Sequence, residues 1–285
     1  MKNKVVTTLT VLVLVILPFL LSIAIGKYSP YIETNSFQTY VTIWAVISIA
    51  IVSIVLRLFK RFYQLLGKIS VCGILLFLLL IPLVGIYGLA SAPDLSLKML
   101  EHPEREHLRY ILLFVAAILF SGFAFFLIKN NSLGVKKSTI WILAMALIVA
   151  LAEFLWEFKH HYLYPEAMKE WISQGKTAEE FGKNYDNTTI INTAVLGRFI
   201  QFSLIIWLSL KLYKLRQIKI WNPILSIFFS LLGIVSATLV YITKFNFPKG
   251  FEILMLFFIP GISFFLLYWL GVALLTNFKQ SKTAT

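Results

Sequence analysis

A single cysteine stands among 285 residues. Alone, Cys72 rules out an internal disulfide and any multi-cysteine metal cluster. Its neighbours Ser70, Val71, Gly73 and Ile74 mark it as a small residue inside an apolar run. Charge is scarce as well: 14% of positions are charged and 59% are hydrophobic, a balance that leaves too little polar surface for a water-soluble domain. Acids are rarer than bases, 13 against 26, giving a net charge of +13. That excess would suit nucleic acid only if the bases gathered on one folded surface beside groove-reading or aromatic elements. Here they punctuate apolar runs, so no nucleic-acid partner is expected and the bilayer is the expected surrounding.

Catalytic signatures are missing too. The chain has no Walker loop, no GxSxG elbow and no dinucleotide glycine pattern, which counts against nucleotide-driven and serine-hydrolase chemistry. It also lacks HExxH, and its 4 histidines are too few for the multi-histidine pattern of membrane desaturases. No cofactor is expected. No linker rich in Pro, Gly or Ser divides the chain, and we treat 1–285 as one transmembrane bundle.

What is present is a series of long apolar runs. A helix needs about 20 apolar residues to cross a hydrocarbon core of about 30 Å. The sequence predicts eight such spans, near 5–26, 39–59, 69–91, 109–128, 139–158, 192–213, 223–243 and 250–275. Barrel strands would alternate apolar and polar residues, whereas Ile74 to Ile81 is apolar on every side. The expected fold is therefore an all-α polytopic bundle. Proline interrupts three spans, at Pro18, Pro82 and the Pro260, Gly261 pair, and each frees a carbonyl and bends its helix. Such breaks line binding cavities in some transporters. A four-plus-four duplication is hinted at by residues 56–60 and 210–214, but Pro82 has no counterpart in the seventh span.

Loop charge sets the expected orientation. Lys2, Lys4, Arg57, Lys60, Arg61, Lys68, Lys129, Lys136, Lys137, Lys211, Lys214, Arg216, Lys219, Lys279 and Lys282 fall in alternate loops and the two termini, with no acid among them. The acids, from Glu33 through Glu252, and the histidines fall on the opposite side or at the span ends bordering it. Bases are retained in the cytoplasm, so both termini are expected inside and every charged candidate site outside. The first run, about 22 residues long, exceeds the about 7–15 of a signal-peptide core and is expected to be retained.

The longest loop, 159–191, carries its own structure. Pro165 suits a first helical turn, and Met168, Trp171 and Ile172 share one side of an amphipathic segment expected on the outer membrane surface. Gly175 ends it, and Thr177 with Glu180 forms a capping-box pattern opening a second helix towards Tyr185. A plainer alternative is an ordered loop covering the helix ends. Through Tyr164, Pro165, Met168, Gly175, Lys176, Thr177, Glu180 and Tyr185 this loop resembles an uncharacterised bacterial family of small four-span membrane proteins, a domain of unknown function. The likeness covers about thirty residues, and the chain has twice that family's span count; it implies no activity. We expect the protein to be integral to a bacterial inner (plasma) membrane.

Intramembrane charge is costly and marks candidate sites. Glu153 lies about 20 Å and Arg198 about 18 Å from the basic edge, at about 1.5 Å per residue on antiparallel neighbouring spans. They should pair, and Glu157 and Gln201 extend the same faces by one turn. One reading is a pair that merely pins two helices. The other is an outward-facing pocket in which Arg198 meets an anionic group and Glu153 or Glu157 exchanges protons. A second cluster, His102, His107, His160 and Glu157, offers nitrogen and carboxylate donors suited to zinc or iron. Glu157 and His160, at i and i+3, could reach one metal. The expected function is binding or transport of a small anionic or lipid-like molecule. The alternatives are a metal-dependent enzyme acting on lipid head groups, or a non-catalytic scaffold. The sequons at Asn187 and Asn130 are too short a signal to carry a role.

Overall fold

In a computed structural model, the chain is described over residues 97–101, 103–129 and 133–277, together with residue 5, residues 8–16 and helical positions between 39 and 54. Among the described residues the regular structure is helical throughout, with no strand. A helical turn, Lys98–Glu101, leads into α1 (Pro103–Lys129). There follow α2 (Lys137–Tyr162), the short α3 (Tyr164–Ser173) and α4 (Ala178–Asn184), then α5 (Thr188–Lys214) and α6 (Trp221–Thr243). A 3-10 helix, Glu252–Phe258, and α7 (Pro260–Asn277) close the described chain.

Four helices, α1, α2, α5 and α6, are long and apolar enough to cross a membrane. They coincide with the spans predicted at 109–128, 139–158, 192–213 and 223–243. The span predicted at 250–275 is a bent pair, its 3-10 arm and α7 meeting at 62°. Ile259 is extended there, with ψ 131, because the ring of Pro260 crowds helical backbone at the residue before it. The predicted spans at 5–26 and 39–59 lie partly, and that at 69–91 wholly, outside the described residues, as do Cys72, Pro82 and Asn130.

The helices are oriented as lipid, not water, would have them. The buried stripe of α2 is Leu147, Ala150, Glu153, Phe154, Glu157 and Phe158. Its exposed side carries Trp141, Ile142, Met145, Ile148, Val149 and Trp156. Two carboxyls point inward while an unbroken apolar face points out, the arrangement hydrocarbon favours and water penalises. On α6 the exposed side is equally apolar, with Ile224, Phe228, Leu231, Val235 and Ile242. Its inner side is small: Ser226, Ser230, Gly233, Ser236 and Ala237 are buried or closely packed, and a Cβ at Gly233 would strike the ring of Phe202 on α5. Small residues let two backbones approach and gain dispersion contact where there is no hydrophobic drive between helices.

The N-terminal helical segment 8–16 docks on α7. The Tyr268 hydroxyl donates to the Leu14 carbonyl at 3.2 Å and the Trp269 indole N–H to the Val15 carbonyl at 3.0 Å.

In the loop, Gly175 takes φ +78 just past α3, and Thr177 and Glu180 make both bonds of the capping box, each at 3.2 Å. The apolar side of α3 is turned onto protein instead of the expected membrane surface. Met168, with no exposed area, packs with Met99, Tyr164 and Phe181, and Trp171 and Ile172 flank them. The loop is thus a small aromatic cap over the ends of the long helices. Asn187 serves as the N-cap of α5, its side-chain oxygen accepting from the Thr189 and Ile190 amides at 3.0 and 3.1 Å.

Candidate functional site

Arg198 sits ten residues into α5, about 15 Å along the helix from its Thr188 end. It has no exposed surface. Its guanidinium fork is divided among four partners. One terminal nitrogen donates to Glu153 Oε2 at 3.3 Å and to Gln201 Oε1 at 3.2 Å, and the other donates to Glu157 Oε2 at 2.6 Å. The inner Nε donates to the Phe258 carbonyl at 2.7 Å. Gln201 in turn donates to Glu153 Oε2 at 2.6 Å, and Ser263 on α7 lies 3.5 Å from Gln201 Oε1.

Local sequence explains this convergence. Glu153 and Glu157, four apart on α2, and Arg198 and Gln201, three apart on α5, each stack along one helix face. Gly197 makes the approach close enough: a Cβ placed there would overlap the Glu153 side chain. The 3-10 arm contributes through the break at Pro260. Ile262 donates to the Ile259 carbonyl, which leaves the Phe258 carbonyl without a helical donor, and Arg198 takes that place. Aromatic rings enclose the charges. The guanidinium carbon lies 5.6 Å from the Phe154 ring and 5.3 Å from that of Phe258, within cation–π range. Phe120, Phe158 and Phe264 pack around Phe154 with centroids 5.6, 5.5 and 4.9 Å away. Such a wall excludes water and strengthens every polar contact inside it.

Comparison with known proteins assigns nothing to this arrangement. No family model, curated protein or solved structure matches the chain.

The remaining predicted residues are placed apart. His107 lies 2.9 Å from Glu166 and stacks on Tyr162. His160 lies 3.0 Å from Asp186 and stacks on Tyr185, whose ring centroid is 4.2 Å away. Glu157 is engaged by Arg198, and His102 lies outside the described residues. Among the described residues no group of three or more His, Cys, Asp or Glu side chains is arranged to hold a metal ion.

Sequence reasoning passed over a second buried charged group. Arg105, Glu106 and Arg109 open α1 and are 5%, 1% and 2% exposed, too little for the solvated rim position that their place at the start of the fourth predicted span suggests. Arg109 pairs with Glu106 at 3.2 Å. Three charges within five residues, followed by Tyr110 on the same face as Glu106, were the available signal. The loop covering the helix ends was one of the two expected readings, but the part its aromatic rings play went unread. Tyr185 donates its hydroxyl to the His160 carbonyl at 2.9 Å, closing the end of α2. Burial first, then the charges of Asp186 and Glu166, push the Tyr185 hydroxyl up to about 12, so it stays a neutral donor through the physiological range. Burial raises Tyr164 as well, with Asp186 and Tyr185 adding to it.

Proposed function

We propose that this membrane protein binds or passes a small anionic or lipid-like molecule at Arg198, with Glu153 and Glu157 as internal substitutes for the ligand's anion. The observation that carries the reading is the way Arg198 joins the helix break. The guanidinium spans two carboxyls on α2 and the freed carbonyl of the 3-10 arm, so replacing a carboxyl by an external anion would act directly on the bent segment. Charge-assisted bonds to a guanidinium are short and directional, which suits carboxylate or phosphate recognition. In the closed arrangement the aromatic cap covers the end through which a ligand would enter.

Eight spans, with both termini in the cytoplasm and the cap outside, complete the proposal; the segregation of bases into alternate loops supports it. A second reading is favoured by one fact: every nitrogen of Arg198 already has an acceptor within the protein. On that reading the cluster pins α2, α5 and the 3-10 arm, and the protein is a scaffold.

The test is ligand-induced stabilisation of protein held in lipid nanodiscs, titrated with short-chain carboxylates, inorganic phosphate and anionic phospholipid. A ligand at one hundred times its Kd should stabilise by about 2.7 kcal/mol. A shift with at least one of these probes, lost in Arg198→Leu, is the expected result. No shift with any of them would turn the reading to the scaffold.

A further inference from the structure

The cluster holds two carboxyls and one guanidinium, all within the bundle and behind an aromatic wall. If both carboxyls were ionised, one negative charge would be left without a counter-charge in low dielectric, a costly state that a bound proton removes. The bond lengths are unequal in the way a neutral and an ionised carboxyl would be. Glu157 takes the 2.6 Å bond from Arg198, the length of a charge-assisted contact. Glu153 is held by the guanidinium only at 3.3 and 3.4 Å, and its short contact, at 2.6 Å, is to the neutral amide of Gln201. The two carboxyls stand one turn apart on α2 and share the one guanidinium.

A row of titratable groups leads from this pair to the capped end of the bundle. His161 stands one turn beyond Glu157 on α2 and stacks on Tyr110 of α1, the ring centroids 5.5 Å apart. The ring of His160 is 5.3 Å from that of His161, and His160 meets Asp186 at 3.0 Å. Asp186 and His160 keep 28% and 16% of their side chains exposed, so the row reaches solvent. Glu106, Arg109 and Tyr110 face the same region from α1, and Tyr164 and Tyr185 from the cap. On α7 the nearest polar group is Ser263, which does not titrate in this range.

We propose that Glu153 and Glu157 share one exchangeable proton, and that His161, His160 and Asp186 form its route to the outer end. The proton leaves the Glu153 hydroxyl as the Glu157 carboxylate takes it. His161 accepts it from Glu157, and His160 and Asp186 release it to bulk water, with no other atom transferred. The inference deepens the anion reading, since a protonated Glu157 would free Arg198 for a ligand and couple uptake to a proton. It rests on that reading only for this last step.

The experiment uses no anion, so its failure and the failure of the anion reading are distinguishable. Full-length protein in lipid nanodiscs is labelled with carbon-13 at glutamate side-chain carboxyls, and infrared difference spectra are recorded on raising the pH. The expected result is a neutral-carboxyl carbonyl band, isotope-shifted by the label, that disappears on alkalinisation. Both Glu153→Gln and Glu157→Gln should lose it, because removing either carboxyl removes the surplus charge. Glu106→Gln should keep it. After a pH jump, His161→Phe should keep the band and slow its loss at least tenfold. Absence of the band from the unmodified protein, or its survival in both glutamine variants, would overturn the site. An unchanged rate in His161→Phe would overturn the route. Should neither glutamine variant fold, Glu153→Asp, which keeps a carboxyl but not the labelled one, should leave the band without its isotope shift, and a band still isotope-shifted in that variant would overturn the site.

Discussion

At the scale of single residues, the site depends as much on what is missing at Gly197 as on the charges around it. An added methyl there meets the carboxyl end of Glu153, and that end is held by Arg198 and Gln201, so it cannot simply swing away. Gly197→Ala should therefore cost about 1–3 kcal/mol, the usual penalty for overpacking a tight interior, although Ala is the better helix former. Gly122 on α1 is the control, because a methyl added at that position would have nothing within 4 Å. There the same change should gain about 0.5–1 kcal/mol from backbone entropy. Unfolding of the two variants in one detergent, read by tryptophan fluorescence, compares them. Equal effects would mean that Glu153 is not held against α5.

At the scale of elements, the cap of α3 and α4 is joined to α2 through Tyr185. Its hydroxyl has a raised value in the folded protein, about 12 against an ordinary 10, so the bond to the His160 carbonyl contributes fully below pH 10. It is lost as pH climbs from 10 to about 12, because the unfolded chain gives up this proton first. Tyr185→Phe should cost about 0.5–1.5 kcal/mol at neutral pH. It should also remove one late-titrating tyrosine from the ultraviolet absorbance titration. A titration identical to that of the unmodified protein would show that Tyr185 ionises elsewhere in the range. These elements were also the most legible in the sequence. Pro165, Gly175 and the Thr177, Glu180 pair act through backbone geometry within a few residues, so their spacing alone predicts α3, its end and the start of α4. The direction of the apolar side of α3 was not legible, because Met99 and Phe181, which cover it, are distant in sequence. The break before α7 could be read from Pro260. The use of the Phe258 carbonyl could not, since its partner lies 60 residues away.

At the scale of the whole molecule, the pairing of Glu153 with Arg198 was legible because two charges at equal depth on neighbouring antiparallel helices have few other ways to avoid hydrocarbon. The closure of that site by Gln201, Ser263 and the aromatic wall was not, since it depends on α7 and α1 packing against the pair. Orientation has its own check. With Cys72→Ser as background, single cysteines replacing Glu170 in the cap and Lys219 in the basic loop should react from opposite sides of sealed vesicles with a membrane-impermeant maleimide. Labelling of both from one side would contradict the alternating topology.

The central claim is that Arg198 serves a ligand and not the fold alone, and a charge-balanced double variant separates the two. Arg198→Leu alone leaves two buried carboxyls, and breaking a buried pair this way costs about 3–5 kcal/mol. Adding Glu157→Gln removes one of them and restores the original net charge of the cluster, so stability should recover beyond the sum of the single effects. The deciding measurement is the anion-induced shift in unfolding midpoint of Arg198→Leu with Glu157→Gln in lipid nanodiscs. The account predicts a recovered midpoint and no shift with any anion that stabilises the unmodified protein. A recovered midpoint with the anion shift intact would contradict it.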